Sequence, residues 1–173
     1  MIPYGKQTIS PADIAAVTEV LQSDFLTQGN KVPEFERVLA DYCGAAHAVA
    51  VNSATSALHL ACLALGLGQG DVLWTSPITF TASANCALYC GAEVDFVDID
   101  PRTLNLSVAA LAEKLAQAQQ QGRLPKIVVA VHLCGEPCDM AAIGELAQRY
   151  GFAVIEDASH AVGASYRDGK VGN

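Results

Sequence analysis

The 173-residue chain is 51% hydrophobic and only 16% charged, a composition that is typical of a packed globular domain and that excludes a disordered chain. Its length is sufficient for one domain with a sizeable core. The formal net charge is −8, and no segment gathers enough Lys and Arg to neutralise a row of phosphates, so we expect no nucleic-acid partner.

Export, membrane insertion and metal binding are all disfavoured by the sequence. The start, MIPYGKQTIS, lacks the apolar stretch of a signal peptide, and no segment approaches the roughly 20 apolar residues of a membrane span. We therefore expect a cytoplasmic protein with no membrane partner. The six cysteines lie mostly in apolar segments, and the two C-x3-C pairs lack further ligands, so we expect reduced thiols and no metal site.

Hydrophobic periodicity predicts two N-terminal helices followed by an alternation of strands and helices. The first helix spans 11–22, a loop covers 23–33, and the second helix spans 34–42. Predicted strands then lie at 48–51, 72–74, 93–97, 127–131 and 153–155, with helices at 55–65, 82–90, 106–121 and 140–150. Strands that are apolar on both faces and joined by helices indicate an α/β three-layer sandwich with a mostly parallel sheet.

Ligands of such sheets bind outside the carboxyl ends of the strands, which directs attention to the segments that follow each strand. In NSATSALH, the opening turn of a predicted helix holds Thr55 and Ser56, so that free N–H groups, hydroxyls and the helix dipole form an anion site. The alternative is that Ser53 or Thr55 only caps the helix.

Two further positions on this edge carry side chains that are suited to binding a flat, positively charged ring. Asp157 ends an apolar strand, where a lone buried carboxylate is costly unless it meets a cation such as a protonated pyridine nitrogen. Phe80 follows another strand and could cover one face of that ring. The alternatives are a helix N-cap for Asp157, an ordinary histidine at His160 and a core aromatic at Phe80.

Five segments, in this order, resemble the nucleotide-sugar aminotransferases of the fold-type I superfamily, which depend on pyridoxal 5'-phosphate (PLP). They are SDFLTQG (23–29), NSATSALH (52–59), TSPITFTASANCALYCGAEVDFVDID (75–100), VHLCGEPCDM (131–140) and IEDASHAVGA (155–164). The resemblance implies an N-terminal arm and substrate loop at 1–31 and a partial PLP-binding large domain at 32–173. Within the family, the segments are most similar to the branch that aminates a UDP-linked sugar on the route to pseudaminic acid.

The resemblance also implies roles for individual residues. Ala54 and Thr55 would bind the cofactor phosphate, Phe80 would stack on the ring, Asp157 would pair with the ring nitrogen, and His160 would lie near the phenolic oxygen. The residues implied for the sugar-nucleotide pocket are Tyr4, Asp24, Phe25, Leu26, Thr27 and Ala54. Glu136 stands where relatives often have Gln, which leaves the role of its loop open.

In this family the Schiff-base lysine follows the DASH motif, so the resemblance places it beyond Asn173. Lys170 lies in a predicted hairpin upstream of that position, and the remaining lysines match no nucleophile position. We therefore expect the 173 residues alone to be inactive. We expect the intact protein to be a homodimer that transfers an amino group from a donor, L-glutamate in the first instance, to the C4 ketone of a UDP-linked 4-keto-6-deoxy-N-acetylhexosamine.

Two alternatives stay open at this point. One is a PLP-dependent sugar 3-dehydratase, in which histidine replaces the lysine. The other is a non-enzymatic, truncated relative that keeps the fold without the chemistry. A nicotinamide-binding Rossmann domain is disfavoured because no G-x-G-x-x-G follows the first predicted strand.

Overall fold

The structure, a computed structural model, describes residues 6–173, so the predicted substrate residue Tyr4 lies outside the described residues. The helices are α1 (Pro11–Leu21), α2 (Lys31–Cys43), α3 (Ala54–Ala64), α4 (Ala82–Tyr89), α5 (Val108–Gln121) and α6 (Met140–Tyr150). The strands are β1 (Val72–Thr75), β2 (Glu93–Phe96), β3 (Ile127–Val131), β4 (Ala153–Asp157), β5 (Ser165–Tyr166) and β6 (Gly169–Lys170). A short 3-10 turn, Leu133–Gly135, follows β3.

Strands β1 to β4 form one sheet in the order β2-β1-β3-β4, and every neighbouring pair is parallel. The register pairs Thr75 with Phe96 and with Val129, and Val131 with Asp157, so the carboxyl ends of the four strands meet at one edge. Strands β5 and β6 form a separate antiparallel hairpin that contains Lys170. The predicted α/β fold with a mostly parallel sheet is confirmed.

The core has two layers, one on each face of the sheet, because alternate strand residues point to opposite faces. On one face Leu73, Ile127 and Val129 pack against buried residues of α3 and α4. On the other face Trp74 and Val128 pack against buried residues of α5 and α6. Helix, sheet and helix therefore form the three-layer sandwich that the strand pattern predicted.

The predicted strand at 48–51 is wrong. Within the described residues this segment has no strand partner, and the N–H of Ala50 instead donates to the Glu36 carboxylate at 2.8 Å. Val49 is 80% exposed, so an apolar, β-branched run here reflects neither pairing nor burial. Propensity alone does not make a strand, since a strand requires a neighbour for its backbone groups.

Two other expectations differ from the structure in detail. Helix α2 begins at Lys31 rather than at 34, because Pro33 is tolerated in a first turn, where its missing N–H has no intrahelical partner. Strand β2 is an edge strand whose residues Glu93, Asp95 and Phe96 are exposed, so it is not covered on both faces.

Helices α1 and α2 contain no buried residue. Three large apolar side chains of α1, at Ile14, Val17 and Leu21, are each at least 60% exposed. Across residues 6–173, no helix is long and apolar enough to cross a membrane, and no three His, Cys, Asp or Glu side chains are grouped so that they could hold a metal ion.

Candidate functional site

A pocket of about 480 Å³ opens at the carboxyl edge of the sheet, where the ends of β3 and β4 face the start of α3 and the segment before α4. This volume is in the range of small-molecule sites. All five residues that sequence reasoning assigned to a cofactor line it: Ala54, Thr55, Phe80, Asp157 and His160. Residues that are up to 106 positions apart in sequence thus meet at one site, as the edge rule for parallel sheets predicts.

Asp157 is the last residue of β4 and is only 9% exposed. Its Oδ1 accepts hydrogen bonds from the N–H and the hydroxyl of Ser159, at 3.2 and 2.6 Å, and its Oδ2 accepts from the hydroxyl of Ser83 at 2.9 Å. All three partners donate, which suits an ionised carboxylate, since that group only accepts. Each carboxylate oxygen has two lone pairs, so Oδ2 keeps one acceptor position for a donor in the pocket.

The neighbouring acid, Glu156, has a different partner. Its Oε2 lies 2.8 Å from Nε2 of His132, whose side chain is fully buried. The N–H of Cys138 donates to Nδ1 of His132 at 3.2 Å, so Nε2 carries the ring hydrogen and donates it to Glu156. The two acids that end β4 therefore have different hydrogen-bond partners, because adjacent side chains of a strand point to opposite faces of the sheet.

The start of α3 supplies backbone donors to the pocket. Ser53 is the N-cap, and its hydroxyl accepts from the N–H of Ser56 at 3.2 Å. Thr55 lies inside the first turn and does not cap the helix, so of the two capping alternatives only the one at Ser53 is confirmed. The N–H groups of Ala54 and Thr55 lack intrahelical carbonyl partners, and together with the helix dipole they favour an anion.

Phe80 and His160 stand at the open side of the pocket. Phe80 is 74% exposed, so the alternative that it is a core aromatic is wrong. His160 is also exposed, and its backbone carbonyl abuts the turn Leu133–Gly135, where a Cβ on Gly135 would lie 3.0 Å from that oxygen. Gly135 also has a φ of +89°, which favours glycine. The turn therefore packs closely against the loop that holds His160.

Of the predicted substrate residues that the structure describes, only Ala54 lines this pocket. Phe25, Leu26 and Thr27 line a separate groove of about 350 Å³ formed with residues of α1 and α2. Phe25 and Leu26 are 68% and 62% exposed, and Asp24 is exposed as well. The described residues thus bring the cofactor set together but leave the 24–27 loop outside it.

Sequence reasoning missed the two residues that donate to the Asp157 carboxylate, the pocket-lining Ser159 and the buried Ser83. Ser159 follows the acid by two positions, a spacing at which Asp side chains commonly accept from local backbone and hydroxyl groups. Ser83 is fully buried in an alanine-rich helix, and a buried hydroxyl requires a partner. That requirement signals a polar contact at Ser83, although it does not identify Asp157 as the partner.

Residues 7–173 match the model of the DegT/DnrJ/EryC1/StrS aminotransferase family. The chain belongs to this family. It is 46% identical over 158 residues to the GDP-perosamine synthase of Caulobacter vibrioides, covering 91% of this chain and 41% of that protein. It is 43% identical over 175 residues to the UDP-4-amino-4,6-dideoxy-N-acetyl-beta-L-altrosamine transaminase of Campylobacter jejuni, covering 100% of this chain and 45% of that protein.

Solved structures of the same family have the same fold. Helicobacter pylori PseC, an aminotransferase involved in the biosynthesis of pseudoaminic acid, superimposes with a TM-score of 0.90 at 31% identity, covering 98% of this chain and 44% of that chain. Aminotransferases of this family depend on PLP, and the fold is that of fold type I. The chain spans less than half the length of the curated relatives it matches.

Proposed function

We propose that the complete protein is a PLP-dependent nucleotide-sugar aminotransferase of pseudaminic acid biosynthesis. It would transfer an amino group from a donor, L-glutamate in the first instance, to the C4 ketone of a UDP-linked 4-keto-6-deoxy-N-acetylhexosamine. The observation that carries the proposal is one pocket that is lined both by the first turn of α3, whose N–H groups favour an anion, and by a buried carboxylate, Asp157.

The pocket residues fit PLP because their charges complement the two ends of that molecule. The first turn of α3 offers N–H donors to an anionic phosphate, and Oδ2 of Asp157 offers an acceptor to a protonated ring nitrogen. Phe80 would cover one face of the ring, and His160 would lie near the phenolic oxygen. When bound, the cofactor supplies an electron sink for negative charge that develops on the substrate.

Asp157 would keep the ring nitrogen protonated, because an ionised carboxylate beside a pyridinium stabilises the charged form of the ring. The burial of Asp157 strengthens this pairing, since water competes less for a buried carboxylate. Its three donor contacts hold it in place before the cofactor arrives, so little reorganisation is needed on binding.

The names of the relatives support a nucleotide-linked sugar as the substrate, since one name includes UDP and another includes GDP. The name of the Campylobacter transaminase supports a UDP-linked substrate, and the description of PseC supports a place in pseudaminic acid biosynthesis. The match to GDP-perosamine synthase favours a second candidate, a GDP-linked 4-keto sugar. Both candidates share the reaction, the replacement of a ketone oxygen by an amine, and differ in the base of the nucleotide.

The remaining parts of the proposal concern the complete protein. We propose that residues 1–31 form an arm with a substrate loop, that residues 32–173 belong to the large PLP-binding domain, and that the nucleophilic lysine lies outside this chain. Within residues 6–173, no lysine lines the pocket, and Nζ of Lys170 donates instead to the carbonyl of Gly163 at 3.1 Å. The inactivity of the isolated 173 residues, the homodimer and the cytoplasmic location stay predictions.

The test uses the complete gene product, purified with PLP and incubated with glutamate and each candidate 4-keto sugar nucleotide. Mass spectrometry of the product separates the hypotheses, because transamination exchanges a ketone oxygen for an amine whereas a 3-dehydratase removes a hydroxyl. An aminated UDP sugar supports the main proposal, and an aminated GDP sugar supports the second candidate. A complete protein that binds no PLP would refute both and would favour the non-enzymatic alternative.

A further inference from the structure

Ser83 joins Asp157 to a part of the chain that lies far from it in sequence. Ser83 is the second residue of α4 and is fully buried, and its hydroxyl donates to Oδ2 of Asp157 at 2.9 Å, across a separation of 74 residues. The contacts to Oδ1 come from Ser159, only two residues from the acid. Among the contacts of residues 6–173, the bond from Ser83 is thus the one that fixes the carboxylate relative to another element.

A second hydroxyl continues this contact toward the pocket. Oγ1 of Thr79 lies 2.8 Å from Oγ of Ser83, and Thr79 itself lines the pocket. A hydroxyl has one hydrogen, and an ionised carboxylate only accepts, so the hydrogen of Ser83 points to Asp157. Thr79 must therefore donate to Ser83. The bonds run in one direction, from Thr79 through Ser83 to Oδ2, and each polarises the next toward the negative charge.

The geometry matters because Oδ2 is the oxygen that keeps a free acceptor position. The two bonds from Ser159 hold Oδ1, whereas among the described residues Oδ2 has its side-chain donor in Ser83. The terminal torsion of an aspartate is soft, so the bond from Ser83 narrows the directions in which the remaining lone pair of Oδ2 can point. We propose that Thr79 and Ser83 are positioning residues that hold Oδ2 of Asp157 toward the ring nitrogen of PLP. This inference rests on the proposed function.

A double-mutant cycle in the complete gene product tests this hydroxyl relay, the bonds that run from Thr79 through Ser83 to Oδ2 of Asp157. The readout is the dissociation constant of PLP. The variants are Ser83→Ala, Thr79→Val and the double variant. We expect Ser83→Ala to weaken PLP binding about 5- to 20-fold and Thr79→Val about 3-fold. In the Ser83→Ala background, Thr79→Val should have an effect of less than about 1.5-fold, because the relay is already broken.

Two further variants separate positioning from general packing. Ser83→Thr keeps the hydroxyl and should bind PLP within about 2-fold of the unmodified protein. Ser76→Ala removes another buried hydroxyl at the same sheet edge, one whose nearest partner is the carbonyl of Ile78 at 3.5 Å, and should leave PLP binding unchanged. The 15N resonance of ring-labelled PLP supplies a second readout. It should move toward the neutral pyridine value in Ser83→Ala and stay unchanged in the two controls, Ser83→Thr and Ser76→Ala.

The outcomes distinguish the relay from the proposed function. Unmodified protein that binds PLP while Ser83→Ala binds it equally well overturns the relay and leaves the proposed function standing. An equal loss from Thr79→Val in both backgrounds also overturns it, because Thr79 would then act by direct contact with the cofactor. Unmodified protein that does not bind PLP refutes the proposed function, and the relay with it.

Discussion

The sharpest prediction concerns Asp157→Asn, because the structure shows what a carboxamide would lose there. Asp157 accepts three hydrogen bonds and keeps a fourth acceptor position, whereas an amide oxygen provides two. If the amide oxygen stays with Ser159, its NH2 group faces Ser83 and the pocket. If it turns toward Ser83, the NH2 group faces two donors of Ser159. In either orientation the negative charge is gone.

The expected loss in PLP affinity follows from the bond that disappears. A hydrogen bond to a charged partner contributes about 1.5–3 kcal/mol, which corresponds to a PLP dissociation constant that is about 10- to 150-fold higher. We expect this change in the complete protein, measured by equilibrium titration of the cofactor-free form. The ring nitrogen of any PLP that binds should lose its proton, which 15N spectroscopy reports.

Glu156→Gln is the matched control, since it changes the adjacent acid in the same strand. Its carboxamide oxygen can still accept from Nε2 of His132, and Glu156 does not line the pocket. PLP affinity should therefore stay within about 2-fold. If Asp157→Asn bound PLP as tightly as this control, the pairing of Asp157 with the ring nitrogen would be refuted.

Three further predictions concern stability and thiol reactivity. Gly135→Ala should lower the free energy of unfolding by about 1–3 kcal/mol, because the φ of Gly135 is positive and the carbonyl of His160 lies close to it. Gly144→Ala, within α6 and with open space around it, should raise the free energy of unfolding by about 0.5–1 kcal/mol. Equal effects of the two substitutions in urea titrations would contradict this prediction. His132→Phe should cost about 2–3 kcal/mol in the same assay, because a buried N–H and a carboxylate lose their partner, and a loss below about 0.5 kcal/mol would be inconsistent with the pair. Burial raises the pKa of the Cys138 thiol from 9.0 to about 11, so its contribution to stability is present below pH 9 and is lost as pH rises through 11. Iodoacetamide at pH 8 should therefore label the exposed Cys134 and spare Cys138, as mass spectrometry of peptides would show.

The sequence predicted the parts of the fold that depend on repeated patterns. Strand β3 and helix α6 have the predicted bounds, because a fully apolar run and a helical apolar stripe are strong signals. The run at 48–51 was misassigned because composition does not report whether a neighbouring strand is available. The hydrophobic pattern therefore predicts helices and strands that have a buried face. It fails for a segment whose structure depends on whether a neighbouring strand is available to pair with it.

The candidate site divides along the same line. Asp157 was predictable because a polar residue at the end of an apolar strand lies at a known edge of a parallel sheet. Thr55 was predictable from the opening turn of its helix, although the strand expected before it, at 48–51, is absent from the described residues. Ser83 was not, because its partner is 74 residues away and a small hydroxyl in a helix leaves no periodic signal. The sheet topology thus predicts where a ligand-binding side chain such as Asp157 lies. The contacts that orient that side chain depend on packing between elements, which the sequence pattern does not report.

The two adjacent acids at the end of β4 illustrate how one sequence feature supports two structural roles. Side chains alternate along a strand, so Asp157 turns to the hydroxyls near α4 and Glu156 turns to the buried imidazole of His132. The backbone adds a further link, since the N–H of His132 donates to the carbonyl of Asp157 at 3.1 Å. The imidazole pair thus fixes the end of β4 on one face, while the hydroxyl relay orients the carboxylate on the other. Exchanging the two acids, as Glu156→Asp with Asp157→Glu, would conserve charge but change the reach of both side chains, and should weaken PLP binding more than Glu156→Gln does.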